Sequence, residues 1–265
     1  MNNANELPPL PSLSPAPSGG EGGRRPGDGD ITPVVAALTT REPQYQVLLT
    51  DAAAEGIEQF GLMSSQVWRD DPRRTLFVLA RYKFVAKMFA GMKRVLEVGC
   101  ADAFGTRIVR QEVPSVTAVD FDPLFIAQNQ ARPPGRWPVD FRCHDLLASP
   151  LPENFDGAYA VDVIEHIPAA DEHRFMDHLA RSVGPWGACL IGTPSLESQV
   201  HASPQSRAGH VNCKDGPGLR ALLRCHFHNV FLFSMNDEVV HTGFTPMAHY
   251  LWALGCHPNS LPKVP

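Results

Sequence analysis

The sequence predicts an α/β fold: an open, mostly parallel sheet with helices on both faces and an antiparallel strand near one edge. Three observations carry this. From Arg94 onward, short apolar runs alternate with segments of helix length, the pattern of repeated strand–helix units. The runs end in small or acidic residues at Gly99, Asp120, Asp145 and Asp162. The acids Glu97, Asp120, Asp145 and Asp162 recur at spacings of 23, 25 and 17 residues, each the length of one such unit. Finally, NVFLFSM and MAHYLWALGC are separated by only about 10 residues, too few for the crossover that parallel neighbours need, so they pair antiparallel.

The elements follow in order. The first 30 residues hold six prolines and six glycines, too little apolar surface to offset the entropy of ordering, and read as a disordered tail. Residues 31–92 form a helical lead-in. Within it, RTLFVLARYKFVAKMF places Leu76, Phe77, Ala80, Phe84 and Met88 at three- and four-residue spacing, an amphipathic helix. GLMSSQVWRDDPRR, with Met63, Trp68 and Arg69, reads either as a substrate lid or as packing for these helices. The core spans 93–258, with strands at RVLEVG, VTAVD, DFRCHD, FDGAYAVD and ACLIGTP. Helices are expected near 104–111, 123–131, 169–183 and 216–226. Asp122 followed by Pro123 is a cap and first-turn pair. A C-terminal tail covers 259–265.

Composition narrows the function. With 23 basic and 28 acidic residues the net charge is -5, which lacks the cationic footprint of a nucleic-acid binder, so no nucleic-acid partner is expected. The six cysteines form no C-x-x-C pair, and the opening MNNANELPPL lacks the apolar stretch of a secretory signal. Reduced thiols in a cytoplasm are expected. Residues 239–256 carry no formal charge, but His241, Pro246 and His249 make them a poor membrane span, and no membrane partner is expected. Cys213, Cys225, His226 and His228 match no common zinc spacing.

In an open parallel sheet, ligands bind outside the carboxyl ends of the strands, where the four acids converge. The stretch from about 75 to about 256 resembles class I S-adenosylmethionine-dependent methyltransferases, small-molecule O-methyltransferases in particular. VLEVGCADAFG is similar to that family's first motif, VTAVDFDP to its second, HDLL to the acid after strand three, and FDGAYAVDVIEHI to the fourth-strand motif. The resemblance implies a Rossmann-like sheet of seven strands and S-adenosyl-L-methionine as cofactor. It also implies roles by position. Gly99 and Ala101 would let the backbone approach the methionyl part. Glu97 would orient that turn by accepting backbone hydrogen bonds, or reach the cofactor ammonium through water. Asp120 would accept both ribose hydroxyls, Phe121 would lie against adenine, and Asp145 would accept from the adenine amine with Leu146 packed nearby. Asp162 would close the cofactor rim. Arg81 would either pair with the cofactor carboxylate or be an exposed helix arginine. Where the family often shows G-x-G-x-G, this chain has Gly99, Ala101 and Ala103. Alanine disfavours positive φ, so the turn either needs none there or binds more weakly.

Methyl transfer to oxygen or nitrogen is an in-line displacement in which the protein aligns a nucleophile and removes its proton. Candidate groups are Asp162, Glu165 and His166 in DVIEH, and His201 and His210 in the segment after strand five. Three readings stay open. His166, with His210, acts as general base. Asp162, Glu165, His166 and His210 hold a divalent metal such as Mg2+, as the resemblance suggests. Or Glu165 and His166 only brace the following helix. The expected activity is methylation of a small hydroxylated acceptor such as a sugar, polyketide or phenol. The rivals are a methyltransferase-fold binding or scaffold protein without turnover, and a nicotinamide dehydrogenase. The latter wants G-x-G-x-x-G, which residues 99–105 do not supply.

Overall fold

Side-chain alternation along buried strands sorts this chain into layers. The computed structural model describes residues 39–259. The expected tail at 1–30, the lead-in at 31–38 and all but Asn259 of the C-terminal tail lie outside the described residues. The chain divides into two units between Ile57 and Glu58, inside the expected lead-in. In the first, a 3-10 turn at Pro43–Tyr45 leads into α1 (Gln46–Glu55), which buries no side chain and ends at Gly56 with φ +82°.

The second unit begins with α2 (Leu62–Asp70) and α3 (Arg73–Met88). It continues through β1 (Arg94–Val98), α4 (Thr106–Glu112), β2 (Ser115–Asp120), α5 (Pro123–Ala131), β3 (Asp140–Cys143) and β4 (Phe155–Val161). Then come α6 (Glu172–Ser182), β5 (Val183–Pro194), α7 (Pro204–Gly209), α8 (Gly216–Arg224), β6 (Phe227–Asn236), β7 (Val239–His241) and β8 (Tyr250–Pro258). The sheet has eight strands in the order β3-β2-β1-β4-β5-β8-β6-β7. The first five are parallel, and β8 runs antiparallel between β5 and β6.

This corrects the expected count of seven. The extra strand is β7, three residues that turn back on β6 through Asp237, which takes φ +51°. So short a segment shows no alternation to read. The expected cap is present: Asp122 Oδ1 accepts from Leu124 N at 2.9 Å ahead of Pro123.

One face of the sheet presents Leu96, Val98, Ala158, Ala160, Cys189 and Ile191 to Phe175, Met176 and Leu179 of α6 and Leu219, Leu222 and Leu223 of α8. The other presents Val95, Tyr159, Val161, Leu190 and Trp252 to Tyr82, Val85 and Ala86 of α3, to Phe89 just past its end, and to Val109 of α4. Odd and even strand positions therefore serve opposite layers, as a pleated strand requires. Each fully buried large side chain is worth about 1.5–3 kcal/mol. All six cysteines are free thiols, with Cys100 and Cys189 buried. Among the described residues no helix is long and apolar enough to cross a membrane.

Candidate active site

Glu97 shares its sheet face with Val95, so its side chain enters the layer of α3 and α4 rather than the cofactor rim. It is buried, and accepts from Tyr82 Oη at 2.9 Å and Thr106 Oγ1 at 2.6 Å. The expected backbone hydrogen bonds to Glu97 are replaced by these two hydroxyls, because strand alternation aims the side chain at the helices. Burial pushes its carboxyl up to about 7, against the pull of the Thr106 and Tyr82 hydroxyls.

The turn after β1 explains its small residues. Gly99 has φ +74°, and a Cβ there would lie 2.4 Å from Val163 Cγ2. Ala101 and Ala103 also take left-handed values, φ +44° and +52°, so the turn needs positive φ at both. That strain, about 1–2 kcal/mol per residue, is held by side chains from neighbouring elements. Ala101 N donates to Asp120 Oδ2 at 2.9 Å, and Asn129 Nδ2 donates to Ala101 O at 2.7 Å. Asp102 accepts from Ser64 N at 2.7 Å and Ser64 Oγ at 3.0 Å, fastening the start of α2 over the turn.

Asp120, at the end of β2, also accepts from Asp122 N at 2.9 Å through Oδ1. Each carboxylate oxygen thus takes one amide and keeps acceptor capacity for another donor. Phe121 is 74% exposed beside it. Asp145 lies just past β3, exposed, with Oδ1 accepting from Leu147 N at 2.8 Å. Leu146 faces inward and belongs to the core rather than to an open ligand surface.

At the end of β4, Asp162 takes φ +57° and receives Nη1 of Arg81. The Arg81 guanidinium lies 3.9 Å above the Tyr250 ring. Arg81 is therefore not an exposed helix arginine, and Asp162 faces a cation instead of joining the histidines. The described residues bring together three of the four expected ligands: one ligand atom each from Glu165, His166 and His210, all within 4.8 Å of one another. Glu165 is buried, and Oε2 accepts from Thr193 Oγ1 at 3.1 Å. Its Oε1 is buried with no hydrogen-bond partner. Burial and then the Asp162 charge push its carboxyl up to about 8.

The two imidazoles have defined tautomers. His166 Nδ1 lies 2.9 Å from Gly209 O, a carbonyl that can only accept, so Nδ1 carries the proton. His210 Nδ1 lies 2.9 Å from Gln199 Oε1. Gln199 Nε2 is committed to Ser195 O at 3.1 Å, so Oε1 is the atom facing His210, and Nδ1 donates there too. In the neutral ring each Nε2 then carries the lone pair. Burial, and then the adjacent His166 ring, lower the pKa of His210. The cluster opens on a cavity of about 800 Å³, also lined by Met63, Phe77, Arg81, Asp162, Met247 and Tyr250. Tyr82, Thr106, Thr193, Gln199 and Tyr250 escaped the sequence reading because each acts on a residue outside its own element. His226 pairs with His173 at 3.2 Å, and no metal-like group forms around Cys213 and Cys225 among the described residues.

Comparison with known proteins places part of the chain beside methyltransferases. Residues 96–191 match a family model described as a methyltransferase domain. A probable S-adenosylmethionine-dependent methyltransferase of Mycolicibacterium smegmatis is 32% identical over 115 residues, 43% of this chain and 42% of that protein. A ubiquinone biosynthesis O-methyltransferase of Idiomarina loihiensis is 27% identical over 148 residues, 52% of this chain and 60% of that protein. The chain thus spans less than two thirds of these curated relatives. Among solved structures, the N-methyltransferase NodS of Bradyrhizobium japonicum in complex with S-adenosyl-L-homocysteine superposes with TM-score 0.53 at 17% identity, over 82% of this chain and 100% of that one. Over residues 96–191 the chain is thus similar to a methyltransferase domain, and its sheet shares the fold of solved methyltransferases.

Proposed function

We propose that this chain is an S-adenosylmethionine-dependent methyltransferase that O-methylates a small hydroxylated metabolite, such as a sugar, a polyketide or a phenol. One observation carries the reading. Along the rim the sheet order sets Asp145, Asp120, Gly99 and Asp162 side by side, and the histidine cavity opens at the Asp162 end. Three strand spacings of about 4.8 Å make roughly 14 Å, the reach of an extended nucleoside joined to an amino-acid chain.

The residues present fit that cofactor. Asp120 keeps two acceptor positions, matched to a ribose diol, and Phe121 offers an uncovered ring beside it. Asp145, exposed at the next strand end, would accept from the adenine amine. Glu97 acts from below by bracing Tyr82 and Thr106, and does not reach the ligand. S-adenosylmethionine, when bound, supplies an electrophilic methyl group whose sulfur keeps the electron pair as the carbon–sulfur bond breaks. An acceptor hydroxyl in this cavity would give its proton to Nε2 of His166 or His210, whose rings are oriented by their Nδ1 hydrogen bonds. Met63, Phe77 and Met247 offer apolar surface to the carbon skeleton of the acceptor. Relatives named ubiquinone biosynthesis O-methyltransferases favour oxygen over nitrogen as the acceptor atom.

A second reading rests on the unpartnered Glu165 Oε1. With one ring nitrogen each from His166 and His210 beside it, the cluster suits a divalent cation such as Mg2+ or a softer ion of that charge. Glu165, His166 and His210 would hold it, and its charge would lower the acceptor hydroxyl's pKa.

Calorimetry with S-adenosyl-L-homocysteine tests the function. One site per chain in the micromolar range, about 8 kcal/mol, is expected. Asp120→Ala should weaken it by about 1.5–3 kcal/mol. No binding to the parent, or no effect of Asp120→Ala, would overturn the assignment. Thermal unfolding with and without divalent ions decides the second reading: stabilisation lost in His166→Ala and His210→Ala supports the ion, and no stabilisation of the parent refutes it.

A further inference from the structure

We propose that Glu172, Asn212 and Lys214 form a polar clamp that positions His210. The inference rests on the reading of Glu165, His166 and His210 as the reactive end of the site. Lys214 Nζ lies 2.6 Å from Glu172 Oε2 and 2.8 Å from Asn212 Oδ1, and Asn212 Nδ2 donates to the same Glu172 oxygen at 2.7 Å. Each of the three groups bonds both others. The Lys214 and Glu172 side chains are only 17% and 13% exposed, and Asn212 is buried, so the triangle is largely withdrawn from water. A charge pair in that setting is strongly coupled, and removing one member leaves the other uncompensated.

The clamp holds the segment that carries His210. Val211 N and Asn212 N both donate to Glu165 O, at 2.9 and 3.0 Å, and Gly209 O accepts from His166. On the far side, Lys214 O accepts from Leu196 N at 2.9 Å, tying the segment to the end of β5. Apolar packing does not do this work. Val211 is 61% exposed, and residues 209–214 contribute nothing to the buried hydrophobic clusters of the described chain. Glu172 is the first residue of α6, whose other side packs through Phe175, Met176 and Leu179 into the core. The clamp therefore transfers the rigidity of a core helix to a segment with no apolar anchor of its own. Sequence separation hides it, since Glu172 and Asn212 are 40 residues apart.

The test reads the histidines directly, because a brace that served only stability would leave their tautomers alone. Long-range proton–nitrogen spectra of the imidazoles at pH 8 should show His166 and His210 of the parent protonated on Nδ1. In Lys214→Met, which keeps the aliphatic stem, His210 should lose that signature and take the Nε2–H form that free histidine prefers in water. The charge-reversed pair Glu172→Lys with Lys214→Glu should restore the Nδ1 signature, since the Asn212 amide can flip to serve it. Affinity for S-adenosyl-L-homocysteine should stay within about two-fold in all variants. An unchanged His210 signature in folded Lys214→Met, or no recovery in the reversed pair, overturns the clamp. If Lys214→Met does not fold, Asn212→Ala takes its place: it must shift His210, and an unshifted ring overturns the proposal. Absence of S-adenosyl-L-homocysteine binding in the parent would instead overturn the methyltransferase reading and leave the histidine result standing.

Discussion

Glu97→Gln should change how stability depends on pH, by an amount the burial of Glu97 sets. The carboxyl sits between Tyr82 and Thr106 with its pKa raised from 4.5 to about 7, chiefly by loss of water. Below about pH 4.5 the group is protonated in both folded and unfolded chains and contributes no difference. Between about 4.5 and 7 the unfolded chain releases the proton while the folded chain keeps it, so stability falls as pH rises. Above about 7 the penalty is complete: the gap between 4.5 and about 7, at 1.36 kcal/mol per pH unit, is about 3 kcal/mol. Glutamine cannot ionise, so Glu97→Gln should gain about 3 kcal/mol on the parent between pH 4.5 and 8. Glu165 is displaced in the same direction, but it is present in both proteins and cancels in the difference. Urea unfolding at pH 4.5, 5.5, 6.5 and 8, followed by the fluorescence of the 4 tryptophans, measures this. A difference between the two proteins that stays flat across that range would show that Glu97 ionises freely in the fold, and the account of the buried acid would be wrong.

Ala101→Gly and Ala103→Gly should each stabilise the protein by about 0.5–1 kcal/mol, the relief of left-handed strain less the entropy glycine loses on folding; a lowered melting temperature would refute it. Gly105→Ala should cost about 1–3 kcal/mol, because the added methyl would lie 2.2 Å from the Tyr82 ring that holds Glu97. Chemical denaturation checks this, and a neutral result would mean that Tyr82 yields freely. Gly99→Ala should damage both stability and S-adenosyl-L-homocysteine binding in calorimetry, since Val163 blocks the methyl and φ is +74°.

The sheet was legible because its signals are local. Strands at VTAVD and FDGAYAVD are apolar on both faces and end at an acid, and the Asp122–Pro123 start of α5 is a matter of adjacent residues. The antiparallel position of β8 followed from loop length alone. β7 and α7 were missed because three and six residues are too few to show a period.

The site divides the same way. Sequence by itself determined that Asp120, Asp145 and Asp162 stand at strand ends on one rim, because strand polarity and a right-handed crossover leave few other arrangements. It also singled out Glu165, His166 and His210. Only the tertiary structure decided that Glu97 answers to Tyr82 and Thr106, that Arg81 takes Asp162 away from the histidines, and that Gly209 and Gln199 set the two imidazole tautomers. A hydrogen bond forms only when donor and acceptor come within about 3 Å. For groups 9 to 81 residues apart, the packing of α3, α4 and the segment after β5 on the sheet sets that distance.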